Sequence, residues 1–333
     1  VGDFIVGDVN IDAATSATVS GALYNYANAA SGDATAGDVT LGDITLSVAD
    51  SANITLYVSN TAGVSTGDAT VGDVNVGNIA LTLGNSGYNW FEVFQTADAN
   101  SGDATAGNQT VGDITVVVGD NATASFSFDN SASASVTGNA TVGDMNVGDI
   151  SMVMGTDAYV YVSAQLTAYA NSSDASVGEF AVGDISIVAD ADGEIYLTFS
   201  ASVSADDVAT IGSMSVGNID VEMGLSSTLD IEIYHYAWGS STEMGTLTVG
   251  DINVVGEADV SIDITISQEA SGAAGDMVLG DISVDIGGDG GGSASVSVDV
   301  YHTGESIGNT TIGNIDISVG EDGWIDVYGS FSA

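Results

Sequence analysis

Gly37-Asp38-Val39-Thr40-Leu41-Gly42-Asp43-Ile44-Thr45-Leu46-Ser47-Val48 is the stretch on which the reading of this chain turns. Val39 and Leu41 share one parity, whereas Ile44, Leu46 and Val48 share the other. A strand sends successive side chains to opposite faces, so the switch of parity demands a bend between Leu41 and Ile44. That bend falls on Gly42-Asp43. Glycine can adopt φ > 0 there, and a short Asp or Asn side chain bonds nearby backbone N–H groups. Each Gly-Asp pair is therefore expected to form a corner between very short strands.

The motif recurs along the whole sequence. Its second glycine stands at Gly7, Gly42, Gly77, Gly112, Gly148, Gly183, Gly217, Gly250, Gly280 and Gly313, at spacings of 30 to 36 residues. Five residues upstream, Gly2, Gly37, Gly72, Gly107, Gly143, Gly178, Gly212, Gly245, Gly275 and Gly308 mark the starts of ten units. Early units add a third pair, as in Gly32-Asp33 and Gly67-Asp68. After the corners come an alternating strand over 44–48, a polar turn at Ala49-Asp50-Ser51, and a longer strand carrying Ile54, Leu56 and Val58. A small polar stretch, 59–66, leads into the next unit. No 3.6-residue period and no capped apolar run points to helix.

Units of this kind stack as coils, each residue above its equivalent. The fold expected is an all-β, parallel β-solenoid of ten coils with about 35 residues per coil, forming a single repeat domain over 1–333. Coils about 4.8 Å apart make a body roughly 50 Å long. Ile44, Ile79, Ile114, Ile150, Ile185, Ile219, Ile252, Ile282 and Ile315 form its inward spine. Two smaller coils per unit are the alternative, disfavoured because the two halves differ in pattern.

Composition narrows the function. The 333 residues include 46 Asp and Glu, two His and no Lys, Arg, Pro or Cys, with 44% hydrophobic residues. That much apolar surface argues against disorder despite the charge. A formal charge of −46 excludes nucleic acid and anionic membrane surfaces as direct partners, since both need Lys or Arg. No apolar run is long enough for a transmembrane helix, so membrane insertion is not expected. Cations, mineral surfaces, basic proteins and further copies of the chain remain. A chain without Lys or Arg also offers trypsin-like proteases no cleavage site, which suits an extracellular or cell-surface location.

The second-corner acids are the first candidates for chemistry. Asp43, Asp113, Asp149, Asp184, Asp251 and Asp281 would stack about 5 Å apart, and a hard cation such as Ca²⁺ would relieve their repulsion. Asn replaces Asp at Asn78, Asn218 and Asn314, however, and the Gly-Gly-x-Gly-x-Asp signature of calcium-binding solenoids is missing. Turn capping is the favoured role, and no cofactor is required. His235 and His302 are the only histidines. No non-repeating acidic cluster interrupts the pattern as a catalytic site should, so an enzyme is not expected.

Aromatics gather in and after the longer strand, including Tyr57, Tyr88, Trp90, Phe91, Phe94, Tyr159, Tyr161, Tyr196, Tyr234, Tyr236 and Trp238. They read as solvent-facing ladders or as a lateral contact surface. At the ends, Val1 runs directly into the corner Gly2-Asp3, and the last unit stops in a strand bearing Trp324, Ile325 and Val327. Solenoids with unblocked ends pair with other chains, and unlike ends meeting head to tail make open filaments.

With its Gly-Asp-x-x-x-Gly-Asp-Ile units, the chain resembles, in architecture, secreted β-solenoid repeat proteins of the fibre-subunit, curli-like and adhesin kind. That resemblance implies a structural subunit of an extracellular filament or matrix, polymerising head to tail. The alternative is a cation-binding module, either a Ca²⁺-dependent adhesin or an acidic surface that organises mineral.

Overall fold

The computed structural model describes residues 1–287, 294–320 and 322–333. Among them there is no helix, and the strands form four parallel sheets that together make a β-solenoid. The first sheet takes a three-residue strand from each coil, from Phe4–Val6 and Val39–Leu41 to Thr310–Ile312. The second takes the strands from Val9–Ala13 and Ile44–Val48 to Ile315–Ser318. The third holds the long strands, from Thr18–Ala29 and Asn53–Val64 to Trp324–Ser332. The fourth is built of short strands from Ala34–Ala36 to Ser306–Ile307.

Register decides between one coil per unit and two. Ile44 lies beside Ile79, Ile79 beside Ile114, and Ile114 beside Ile150. One unit of about 35 residues therefore makes one full coil, and the two-coil alternative is wrong. The two halves of a unit differ because they build different sides of the same coil. The backbone ladder also runs through the corners, as in Val9 N–H to Asp43 O and Ile44 N–H to Asn78 O, both 2.8 Å.

The parity switch at Leu41 and Ile44 is a bend between the first and second sheets, and both residues point inward. Ile150, in mid-array, is 1% exposed. Burying one such side chain is worth about 1.5–3 kcal/mol. Phe128 lies between Val93 and Ala164, so a large side chain fills space left by small neighbours in the adjoining coils. Phe91 meets Phe126 and Phe128 edge-on at centroid distances of 6.3 and 6.1 Å.

Three expectations need correction. The stretch 59–66 is not a connection, because the third-sheet strand continues to Val64 with Asn60, Ala62 and Val64 facing inward. The second-corner glycines are not left-handed. At Gly77 a Cβ would lie 2.6 Å from Asp43 Oδ1 and 2.8 Å from the Gly42 carbonyl carbon, so the residue is small because the preceding coil occupies its side-chain space. Positive φ occurs instead at the third-corner glycines Gly32, Gly67, Gly102 and Gly138, with φ of 81 to 136°, and at the polar turn between the second and third sheets. There Ser51, Ser86, Asn121, Asp157 and Asp192 have φ of 53 to 58°. Finally, Ile315 is 38% exposed, since no coil covers it in this chain.

Candidate functional site

Three sets of polar and aromatic residues stand out on this scaffold, at the corners, in the core and on the outer face of the third sheet.

At the corners, the acids bond across coils rather than within their own turns. Asp43 Oδ1 accepts the backbone N–H of Asn78 at 2.9 Å, and Asp149 Oδ1 that of Asp184 at 2.9 Å. Asp113, Asp184, Asp251 and Asp281 do the same for Asp149, Asn218, Asp281 and Asn314, at 2.7 to 3.1 Å. Asn78 and Asn218 serve equally, accepting from Asp113 and Asp251 at 3.0 Å. What each corner requires is a side-chain carbonyl-type oxygen, which both residue types supply. The proposed calcium ligands thus stand one above another along the axis, each with Oδ1 engaged. Among the described residues, no group of three or more His, Asp or Glu side chains is placed to hold a metal ion.

In the core, a polar ladder runs up the inner face of the third sheet. Asn25, Asn60, Gln95 and Asn130 are register partners in the first four coils, and His235, Gln268 and His302 occupy the same position in coils seven to nine. All seven are buried. Each reaches a first-corner carbonyl that points inward: Gln95 donates to Gly72 O at 2.9 Å, Asn130 to Gly107 O at 2.8 Å and Gln268 to Gly245 O at 2.9 Å. His235 and His302 do so through Nε2, to Gly212 O at 3.0 Å and Gly275 O at 2.9 Å. A carbonyl can only accept, so Nε2 carries the proton in both rings. Burial pushes His235 down to about 4, against a smaller opposing effect of the bond to Gly212. His302 is lowered for the same reason. Neither imidazole reaches solvent, and both act as struts between the third sheet and a corner. Sequence reading missed this ladder, although a fixed 23-residue step links Gly72 to Gln95, Gly107 to Asn130 and Gly212 to His235.

On the outer face of the third sheet stand the tyrosines and tryptophans, whereas Phe91, Phe126, Phe128 and Phe199 turn inward. Tyr24 packs against Tyr57, Tyr159 against Tyr196 and Tyr301 against Tyr328 with tilted rings, at centroid distances of 5.3 to 5.7 Å. The fourth coil breaks the run. Thr123 lies between Tyr88 and Tyr159, and Ser125 between Trp90 and Tyr161. The result is an open slot of about 480 Å³ with aromatic walls on coils three and five and a floor of Thr123, Ser125 and Ser127. Trp90 Nε1 donates to Glu92 Oε2 at 3.2 Å, which fixes the indole. Beyond Ser127 the strand reaches Asp129, flanked by Phe94 and Gln165. Burial, and secondarily Glu92, push the Asp129 carboxyl up to about 6 against a bond from Ser131.

No protein family, no curated protein and no solved structure matches this chain.

The residues expected to take part in stacking lie in the first and tenth coils. Ile325 and Val327 are 42% and 47% exposed, whereas their partners one coil earlier, Val296 and Val298, are fully buried. Trp324 and Val1 are exposed, and the Val1 ammonium donates to Thr35 O at 2.7 Å.

Proposed function

We propose that this chain is a structural subunit of an extracellular filament or matrix, joined to further copies by end-on stacking of coils. The observation that supports it is the equivalence of the joints between coils. From first to last the strands pair in parallel, with a register shift between Ala99 and Ser101 at the end of one long strand, and at most corners a side-chain oxygen accepts the amide of the next coil. Asn309 and Asn314 make this joint to Asp276 and Asp281 at 2.7 Å, leaving their own Oδ1 atoms for the corner amides of a further coil. Ile315, Ile325, Val327 and Phe331 form the apolar part of the same face. The face accepts a coil of this repeat, and in the filament reading a second copy supplies it.

The joint can be blocked without touching the interior. The double substitution Ile325→Asp, Val327→Asp places two charges on the exposed face. It should leave secondary structure in place while abolishing the growth of light scattering. Assembly at the native rate in that variant would contradict end-on stacking.

A second reading, a cation-binding adhesin or mineral-organising surface, is favoured by a different observation. Asp230 and Asp263 are neighbours on the outer face of the third sheet. Burial raises both carboxyls above their usual range, and like charges raise them further, from Glu232 and Asp263 at Asp230 and from Asp299 and Glu232 at Asp263. A hard cation would relieve that repulsion. Calcium should then raise the melting temperature and a chelator reverse the rise; a melting temperature indifferent to both removes this reading.

A further inference from the structure

We infer that the slot across coils three to five is a binding site for an uncharged saccharide chain, with Trp90 and Tyr161 as its stacking walls and Ser125 at the centre of its floor. The inference does not depend on whether the chain forms filaments.

The slot arises from the order of residues along two neighbouring ladders. Tyr88, Thr123 and Tyr159 form one, and Trp90, Ser125 and Tyr161 the other. The two walls are two strand spacings apart, about 10 Å, which leaves room for one saturated ring stacked between aromatic faces. Along the strand the floor from Thr123 to Ser127 runs about 13 Å, long enough for consecutive sugar units. A volume of about 480 Å³ lies in the range of small-molecule sites. Two of the bordering rings are held in place: Trp90 is tied to Glu92, and Tyr159, beside Tyr161 on the same wall, is backed by Tyr196 at 5.3 Å.

The chemistry of walls and floor selects the ligand. A sugar ring has apolar C–H faces and a rim of hydroxyls. The aromatic walls match the faces, and the three floor hydroxyls, each both donor and acceptor, match the rim. A purely apolar ligand would strip water from those hydroxyls and give nothing back. An anionic ligand meets a chain of formal charge −46 that has no Lys or Arg to receive it. An organic cation is drawn by the aromatic faces and the field, but it can use the floor hydroxyls only as acceptors, whereas a sugar rim uses both their capacities. The carboxylate that borders the slot, Glu92, is already engaged by the Trp90 indole.

The test is a titration of the full chain with neutral oligosaccharides: hexamers of glucose in β-1,4 and α-1,4 linkage, of mannose, of xylose and of N-acetylglucosamine. Trp fluorescence and calorimetry provide the readouts. At least one hexamer should bind with saturation and perturb Trp emission. Trp90→Ala should weaken that binding at least tenfold, and Ser125→Trp, which fills the slot but leaves its walls, should abolish it. Trp90 is exposed, whereas Ser125 lies on the outer face but is only 9% exposed between its neighbours, so melting curves of the two variants verify that each is folded. Trp238→Ala, on the same outer face but remote from the slot, should bind like the native chain. The inference is overturned if none of the hexamers binds, or if Ser125→Trp binds as tightly as the native chain. It is equally overturned if spermidine, and no sugar, is the ligand that Ser125→Trp excludes.

Discussion

At the scale of single residues, the corner aspartates separate a charge from an oxygen. Asp149 accepts the amide of Asp184, and its own amide bonds to Asp113 Oδ1 at 3.1 Å. Asp149→Asn retains the acceptor and should change stability by less than about 0.5 kcal/mol, while Asp149→Ala should cost about 1–2 kcal/mol. Chemical denaturation of the two variants checks this, and equal losses would show that the charge itself matters. Ile150→Asp puts an unpaired carboxylate among apolar neighbours and should cost about 4 kcal/mol or more, leaving little folded protein. These two residues mark what a reader of sequence can see. Ile150 was placed correctly, because alternation alone sets which face a strand residue takes. Asp149 was recognised as a capping residue but assigned to its own turn. Its true donor lies 35 residues away, at the same position of the next unit; the repeat sets the two corners side by side but does not say that the side chain bonds across coils rather than within its own turn.

At the scale of elements, the polar ladder inside the third sheet links stability to pH. His235 in the fold titrates at about 4, below the 6.5 of an exposed imidazole. The unfolded chain takes up this proton first as pH falls. The contribution of a neutral His235 is therefore complete above about pH 6.5 and is lost progressively down to about pH 4, by roughly 3 kcal/mol in all. Asp129 works in the opposite sense. Its carboxyl, raised to about 6 in the fold, favours the folded state at low pH, and this contribution fades as pH rises through 6. His235→Gln keeps a donor for Gly212 O, as Gln268 does for Gly245 O. That variant should lose less stability than the native chain between pH 6.5 and 4 in denaturant titrations, and an unchanged pH profile would show that His235 is not the group responsible. The aromatic slot belongs to this scale too. Trp90, Ser125 and Tyr161 look unrelated in sequence, and only exact coil stacking sets the small residue between the two large ones.

At the scale of the whole molecule, charge opposes any assembly. Each chain carries a formal charge of −46, and bringing copies together costs free energy that salt screens and protons remove. Light scattering should therefore grow faster at acidic pH, in high ionic strength or with divalent cations than in low-salt buffer at neutral pH. Faster growth in low salt at pH 8 than in high salt at pH 5 would mean that the carboxylates are neutralised or turned away from every contact. The stacking itself is most directly tested by electron cryo-microscopy of the purified chain under the screening conditions. Long unbranched filaments are expected, with an axial spacing of about 4.8 Å between coils that continues across subunit joints without a break. Dispersed single solenoids across the full range of pH and salt, or filaments whose subunits meet side by side, would contradict end-on stacking.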